Sequence, residues 1–290
     1  MEVESNMDTV FPYSVLMSVY KNDNPIWLNE ALDSIFQQTL PPAEVIIVID
    51  GPVPQGVTET ICAFKTRFNI LKSVLLEKNM GLGYALKVGL QHCTCEYVAR
   101  MDSDDVSCKN RMEKQILCFQ MDSQLSIIGG FIQEFDNDSK KNLGIRSVPC
   151  DDKEIKKYIR HRCPFNHMSV MFKKSAVYQA GSYQEWHYNE DYYLWIRMLL
   201  SNCKFQNIPD ILVYVRTGQD MYRRRGGWKY FRSEAKLQTY MLKHHIIGIP
   251  RYFCNVLIRF ILQVLMPNRI RGIVFQKFAR RQKRARHMYE

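Results

Sequence analysis

Asp102, Ser103, Asp104 and Asp105 put three carboxylates within four residues. Like charges this close repel, so a cation is their natural counter-charge. Oxygen ligands select Mg²⁺ or Mn²⁺ over softer metals, and such an ion completes its shell with water and substrate phosphates. That chemistry implies a nucleotide diphosphate. The same residues also read as an acidic turn before the next helix, with Ser107 as its N-cap. A second segment, 79–89 (NMGLGYALKVG), carries glycines at a strand-to-helix junction. Glycine lets a backbone approach a ligand closely, and a helix N-terminus welcomes anions. A plain tight turn would show the same residues. Glu190 and Asp191 open a third segment, 189–197 (NEDYYLWIR). A carboxylate there could take a proton from a substrate hydroxyl, or simply complement the helix dipole.

These groups need elements to hold them. Residues 13–19, 44–49, 71–76, 96–101 and 126–135 read as strands, the first two as buried apolar runs. Residues 25–38, 57–68, 81–91 and 108–121 have helical spacing between them. Strands alternating with helices argue for a mostly parallel sheet covered on both faces. Ligands bind such sheets outside the carboxyl ends of the strands, where Asp50 and Asp102 fall. The second half is more mixed. Helices are expected over 151–160, 189–200 and 228–245, a helical turn over 173–180, and strands over 168–172 and 211–215. No internal repeat or flexible linker appears.

Composition is that of a globular chain: 290 residues, 46% hydrophobic and 24% charged, which excludes disorder and low-complexity architectures. Nine irregularly spaced cysteines without a CxxC pair argue against a zinc ribbon and suit reduced thiols in a cytosolic chain. The first ten residues lack the basic and apolar regions of a secretory leader. Of the net charge of +11, +9 lies in residues 251–290, so the body is nearly neutral. Within that tail, residues 252–266 (YFCNVLIRFILQVLM) are strongly apolar. Arg251, Asn255, Arg259 and Gln263 recur every four residues and line one helical stripe. Fifteen residues around a central Arg259 are short for a bilayer span. The pattern predicts an interfacial helix followed by a basic segment, 269–286, over anionic headgroups. A helix packed on the core is the alternative. Charge confined to an apolar-striped tail favours a membrane over nucleic acid as the polyanion.

Together the motifs resemble glycosyltransferase family 2 with the GT-A fold. The resemblance rests on SVLMSVYKN, EVIIVIDG, EKNMGLGYALKVG and YVARMDSDD with the following Arg111, then PFNHMSVMFKKS, NEDYYLWIRML and MYRRRGG. It runs from about residue 15 to 225 and is nearest to bacterial enzymes that extend lipid-linked O-antigen or exopolysaccharide units. It implies an α/β GT-A catalytic domain over 11–227: a Rossmann-like mixed sheet flanked by helices, with a nucleotide-sugar half (11–135) and an acceptor half (136–227). Residues 228–290 would then be a helical, membrane-associating extension. The resemblance implies Asp50 at the nucleotide base, although the family usually has two acids where this chain has Ile49 and Asp50. It implies Asp104 as the metal ligand, with Asp102 at the ribose or sugar and Asp105 sharing either role. Asn79, Gly81, Lys87 and Arg111 fall in donor-side motifs. Asp191 matches the catalytic base, with Glu190 in support. His167 matches a histidine on the acceptor-side strand, where a purely structural histidine fits as well. Arg223, Arg224 and Arg225 either close over the donor diphosphate or form a solvated basic loop. The activity implied is inverting, Mn²⁺- or Mg²⁺-dependent transfer of a hexose, glucose or galactose, from a UDP-sugar to a saccharide on a lipid diphosphate. The enzyme would work on the inner face of the cytoplasmic membrane. A sugar-nucleotide nucleotidyltransferase is the alternative enzyme, but the place of its glycine-rich loop holds Val19 to Asp23, without glycine.

Overall fold

A computed structural model describes residues 11–136, 141–217 and 226–266. Among them nine strands form one sheet in the order β3-β2-β1-β4-β8-β6-β9-β5, with β7 paired to β6. The strands are β1 (Tyr13–Val19), β2 (Glu44–Asp50), β3 (Leu71–Leu76), β4 (Tyr97–Asp102), β5 (Val106–Ser107), β6 (Leu125–Asp136), β7 (Asn142–Arg146), β8 (Met171–Lys173) and β9 (Lys204–Thr217). β3, β2, β1 and β4 are mutually parallel, while β8 runs antiparallel to both β4 and β6. β6 and β9 are parallel, and β5 is antiparallel to β9.

The continuous apolar runs of β1 and β2 reflect cover on both faces. Leu16, Ile46 and Val48 face α3 (Leu82–His92), α6 (Lys174–Gln179) and α7 (Glu190–Leu200) in one buried cluster. Val15, Met17, Val45 and Ile47 face α1 (Pro25–Phe36), α2 (Gln55–Arg67) and α4 (Arg111–Met121) in another. α1 starts where the sequence says it should: Asn24 Oδ1 accepts from Ile26 N at 2.8 Å, and Pro25 takes the first helical position. α5 (Asp152–Tyr158) is capped by Asp151 in the same way.

Several expected boundaries move. α4 begins at Arg111, not at residue 108, so Ser107 is no N-cap; it sits in β5, and its N–H donates to Ser34 Oγ at 3.0 Å. His167–Ser169 forms a 3₁₀ turn before β8 instead of a strand. β9 covers fourteen residues rather than five. Bulges opposite β6 carry it past Pro209, which the alternating pattern could not anticipate. The C-terminal part holds α8 (Trp228–Lys243) and α9 (Ile249–Phe260), which passes into a π-helical turn, Ile261–Leu265. α8 shares the body's core through Leu237 and Met241. α9 is turned in an unusual sense: its polar stripe faces the body. Asn255 and Gln263 are buried, whereas Phe253 (65% exposed), Leu257 (58%), Ile261 (43%) and Leu265 (62%) point outward. Among the described residues no helix is long and apolar enough to cross a membrane.

Candidate active site

The strand order reverses between β1 and β4, which opens a crevice at their carboxyl ends. Asp102 ends β4, and the turn to β5 carries Ser103, Asp104 and Asp105. Oxygens of Asp102, Asp104 and Asp105 lie within 4.8 Å of one another. Four other residues fix this turn. Arg100, 2% exposed, places Nη2 at 2.5 Å from Asp102 Oδ1. Ser103 Oγ donates to Asp23 Oδ2 at 3.0 Å, and the same oxygen accepts from Tyr20 N at 2.9 Å. Arg216, at the end of β9, donates its backbone N–H to Asp105 Oδ1 at 3.0 Å and Nε–H to the Asp104 carbonyl at 2.7 Å. Its guanidinium also pairs with Glu30 and lies over the Phe135 and Trp27 rings.

The electrostatics follow from burial and crowding. Burial pushes Asp104 up to about 7, and the Asp102 and Asp23 charges add to it. Asp105 is held well above the ordinary carboxylate range by burial, then by Asp104 and Asp102. Asp23 rises to about 6, mainly through burial. Asp105 Oδ2 is buried with no hydrogen-bond partner among the described residues. Three hard oxygen donors, mutually repelled and with one buried oxygen unpartnered, fit a divalent cation such as Mg²⁺ or Mn²⁺.

Glu190 and Asp191 open α7 beside this turn. Burial, then Asp191, raises Glu190 to about 7, and Asp102 contributes across the crevice. Burial also raises Asp191, against the pull of its bond from Tyr192 N at 2.7 Å and of the Arg100 and Arg146 charges. Cys163 Sγ donates to Asp191 Oδ2 at 3.7 Å. The preceding loop is tied to α8: Asn189 Nδ2 donates to Ser233 Oγ at 3.2 Å, and Trp186 Nε1 to Ser233 O at 3.1 Å. A carboxylate cluster that could hold a cation and two carboxylates of raised pKa therefore share one buried electrostatic environment with Arg100. Such a site can stabilise a leaving diphosphate and deprotonate an attacking hydroxyl.

The other expected residues divide. Asp50 is 3% exposed, and its carboxylate accepts from Met80 N (2.7 Å), Gly81 N (2.9 Å) and Asn79 Nδ2 (3.0 Å). It holds the loop that opens α3, so Asp50 and Asn79 brace one another. Gly51 is essential to that packing: at φ +79° a Cβ would stand 2.5 Å from Asn79 N. Gly81, at φ +88°, has open space around it at the N-terminus of α3. Lys87 is exposed nearly two turns further along α3. Arg111 corrects the sequence reading. It is 0% exposed, with Nη2 donating to the carbonyls of Arg100 (2.8 Å) and Val170 (3.2 Å) and Nε to Gln115 Oε1 (3.0 Å). It pins α4 under the sheet instead of reaching the donor side. His167 is buried, with Nε2 3.0 Å from the Tyr183 hydroxyl and its ring against Trp195. Burial and the Arg100 charge hold it well below the usual histidine range. It is a neutral, packed histidine, which favours the structural alternative. Arg223, Arg224 and Arg225 lie outside the described residues, as does 269–286.

Asp23, Arg100, Arg216 and Cys163 carry no site role in the sequence analysis. Arg100 left a signal, a lone charge inside an apolar strand two residues before Asp102. Arg216 left none, since only the fold brings it to Asp104.

Residues 14–186 match the family described as Glycosyl transferase family 2. The chain is 40% identical over 268 residues to the amylovoran biosynthesis glycosyltransferase AmsE of Erwinia amylovora, covering 91% of this chain and 98% of that one. It is 38% identical over 270 residues to the UDP-Gal:alpha-D-GlcNAc-diphosphoundecaprenol beta-1,3-galactosyltransferase of Escherichia coli, covering 93% and 97%. Among solved structures it is similar to S. aureus TarS 1–349 in complex with UDP-GlcNAc (TM-score 0.62, 18% identity, 86% and 72% covered). It is also similar to the mannosyltransferase PcManGT of Pyrobaculum calidifontis in complex with GDP-Man and Mn2+ (TM-score 0.60, 14% identity, 92% and 73% covered). At these identities the structures speak to the fold alone, which is the GT-A arrangement expected from the sequence.

Proposed function

This chain belongs to glycosyl transferase family 2, and from that premise we propose the reaction it catalyses: transfer of a hexose, glucose or galactose, from a UDP-sugar to a saccharide on a lipid diphosphate, in surface-polysaccharide assembly. The observation that carries this reading is the shared site of Asp102, Asp104, Asp105, Glu190 and Asp191 around buried Arg100. The galactosyltransferase and amylovoran relatives support the donor and acceptor class.

Asp102, Asp104 and Asp105 would hold Mn²⁺ or Mg²⁺, whose Lewis acidity favours departure of the nucleoside diphosphate. Asp50 takes the N–H groups of Met80 and Gly81, and the first N–H groups of α3 beyond Gly81, without a side-chain cap, would suit phosphate oxygens of the donor. Asp191 takes the acceptor hydroxyl proton as that oxygen attacks the anomeric carbon from the face opposite the leaving group. Burial makes Asp191 a stronger base than a free carboxylate, and Glu190 beside it disfavours a second negative charge. A single displacement inverts the configuration, so an α-linked donor gives a β-glycoside. Partial burial limits competing attack by water.

The outward apolar face of α9, followed in sequence by the basic residues 269–286, supports peripheral attachment to the inner face of an anionic membrane.

A screen of UDP-sugars with Mn²⁺ and a synthetic GlcNAc- or GalNAc-diphosphate-lipid, read out as released UDP, tests the proposal. Turnover with one donor, abolished by EDTA, is expected. Asp191→Asn should lower kcat by about 10²–10⁴ while donor KM stays close to wild type. Asp104→Asn should also weaken calorimetric UDP binding in Mn²⁺. Undiminished UDP release by both variants would overturn the assignment.

A further inference from the structure

Beyond the crevice, positive charge gathers at one place on the body. Lys157 and Arg160 are exposed at the end of α5, and His161 follows them. Arg251, exposed on α9, brings Nη1 within 2.6 Å of His161 Nε2. Arg259 Nη2 donates to the His161 carbonyl at 2.7 Å, and Asn255 Nδ2 to the Arg160 carbonyl at 3.0 Å. Burial and the surrounding charges of Arg251, Arg259, Arg160 and Lys157 press the His161 ring below the usual histidine range. Arg259 is neutralised by Glu234. Among the described residues, Lys157, Arg160, Arg162 and Arg251 form no ion pair. Lys157, Arg160 and Arg251 thus gather around His161, with Arg162 next in sequence, and cations without a paired carboxylate suit a polyanion.

The position of this ridge identifies the anion. One side is α9, whose outer face is apolar. The other side leads directly to the base: Arg162 is joined to Cys163, whose Sγ meets Asp191 Oδ2. Two residue steps from His161 to Cys163 span at most about 7 Å. A lipid-linked acceptor has the same order of parts: apolar chain, diphosphate, then the sugar whose hydroxyl must reach Asp191. We propose that the ridge of Lys157, Arg160, Arg162 and Arg251 binds the diphosphate of the lipid-linked acceptor. This rests on the acceptor class proposed above. The ridge is separate from the donor diphosphate's place at Asp102, Asp104 and Asp105, so the two diphosphates would be neutralised by different cations, side chains for one and a metal ion for the other.

The test is the double variant R160E/R162E, with K157E as a second, single change on the same surface and circular dichroism to confirm the fold of each. With a short-chain GlcNAc-diphosphate-lipid in detergent, acceptor KM should rise tenfold or more in the double variant, while donor KM stays within about twofold. Wild type should lose a similar factor on a GlcNAc-lipid lacking the diphosphate, and the variant should add little further loss on that acceptor, since the same contact is removed from both sides. Unchanged acceptor KM in both variants overturns the proposal. Phospholipid headgroups offer the same phosphate chemistry. A double variant that no longer sediments with phosphatidylglycerol vesicles yet keeps the wild-type acceptor KM would assign the ridge to headgroups and overturn it as well. Should wild type transfer no sugar, calorimetry with the short-chain diphosphate-lipid decides. Binding to wild type that is lost in R160E/R162E upholds the ridge though the reaction is different, and no binding to either rejects it.

Discussion

Arg100 is felt by Asp104, Asp105, Glu190 and Asp191, and it ion-pairs with Asp102. Even so, burial, with the crowded carboxylates behind it, outweighs Arg100, and the imbalance has a measurable consequence. Asp104 and Glu190 titrate near 7 in the fold and Asp23 near 6, against ordinary values of 3.8, 4.5 and 3.8. Between those limits the folded chain binds more protons than the unfolded one, so this cluster's contribution to stability falls as pH rises from about 4 to about 7. Through this cluster metal-free protein gains melting temperature at pH 5.5 relative to pH 8, while His161, His167 and His187, held below the usual histidine range, act in the opposite sense. Asp104→Asn should reduce that difference. Mn²⁺ should raise the melting temperature more at pH 8, where the carboxylates are ionised, than at pH 5.5. Calorimetric scans at the two pH values, with EDTA and with Mn²⁺, check this; a metal-free melting temperature that is higher at pH 8 and indifferent to Asp104→Asn would contradict it. Turnover has the opposite slope. A base with a raised pKa works only when deprotonated, so kcat should climb with pH on the acid side, through a range above that of an ordinary carboxylate. The site is thus most stable where it is least active, as expected of like charges held together for chemistry.

At the scale of elements, close packing matters more than intrinsic propensity. Gly89 lies within α3, where alanine is favoured by about 1 kcal/mol. A Cβ there would come 2.4 Å from Leu16 Cδ1, a contact no core tolerates, and 2.6 Å from Val48 Cγ2. Gly89→Ala should therefore destabilise the protein, by about 1–3 kcal/mol in urea unfolding. It should also weaken UDP binding, because α3 carries the Gly81 turn. A stabilised variant would show that α3 lies further from β1 and β2. The same contrast between local pattern and packing governs what the sequence could disclose. β1, β2 and β4 were legible because strands buried on both faces are continuously apolar, and Asp50 and Asp102 at their ends followed from topology. α7 was legible from its period, and Glu190 and Asp191 with it. β7 and most of β9 were not: β9 pairs with β6 across a long stretch of chain, β7 is a short, half-exposed partner of β6, and shifts of register interrupt the alternation of both pairs. Arg111 misled because a charge after an acidic motif resembles a ligand, whereas here it satisfies the carbonyls of Arg100 and Val170. Asp23 stayed hidden because its partner, Ser103, is eighty residues away.

For the whole molecule, the decisive feature is how α9 is turned. A stripe of polar residues every four positions was plain in the sequence, but a stripe alone does not say which face meets the body. The fold resolves this by bonding the stripe inward: Asn255 to Gln238 and Arg160, Arg259 to Glu234, and Gln263 to Glu234. The helix is thus packed on the body, as the alternative reading of this tail has it, and presents an apolar face to the outside. Outward Phe253, Leu257, Ile261 and Leu265 form a larger apolar stretch than scattered surface residues require. Together with Trp228 (55% exposed), whose ring lies 5.8 Å from Phe260, they form one exposed apolar surface, the one we propose meets a bilayer. The full chain should therefore sediment with phosphatidylglycerol vesicles and release from them as salt is raised, because basic residues 269–286 supply the electrostatic part. Phe253→Ser with Leu257→Ser should cut that binding tenfold or more and leave the melting temperature nearly unchanged, since both side chains already meet solvent. Asn255→Leu, on the inner face, should do the reverse: it removes bonds to Gln238 and Arg160 and should cost about 1–3 kcal/mol of stability. Self-association that Phe253→Ser/Leu257→Ser abolishes, with no binding to vesicles at any salt, would assign the surface to a second copy of the chain.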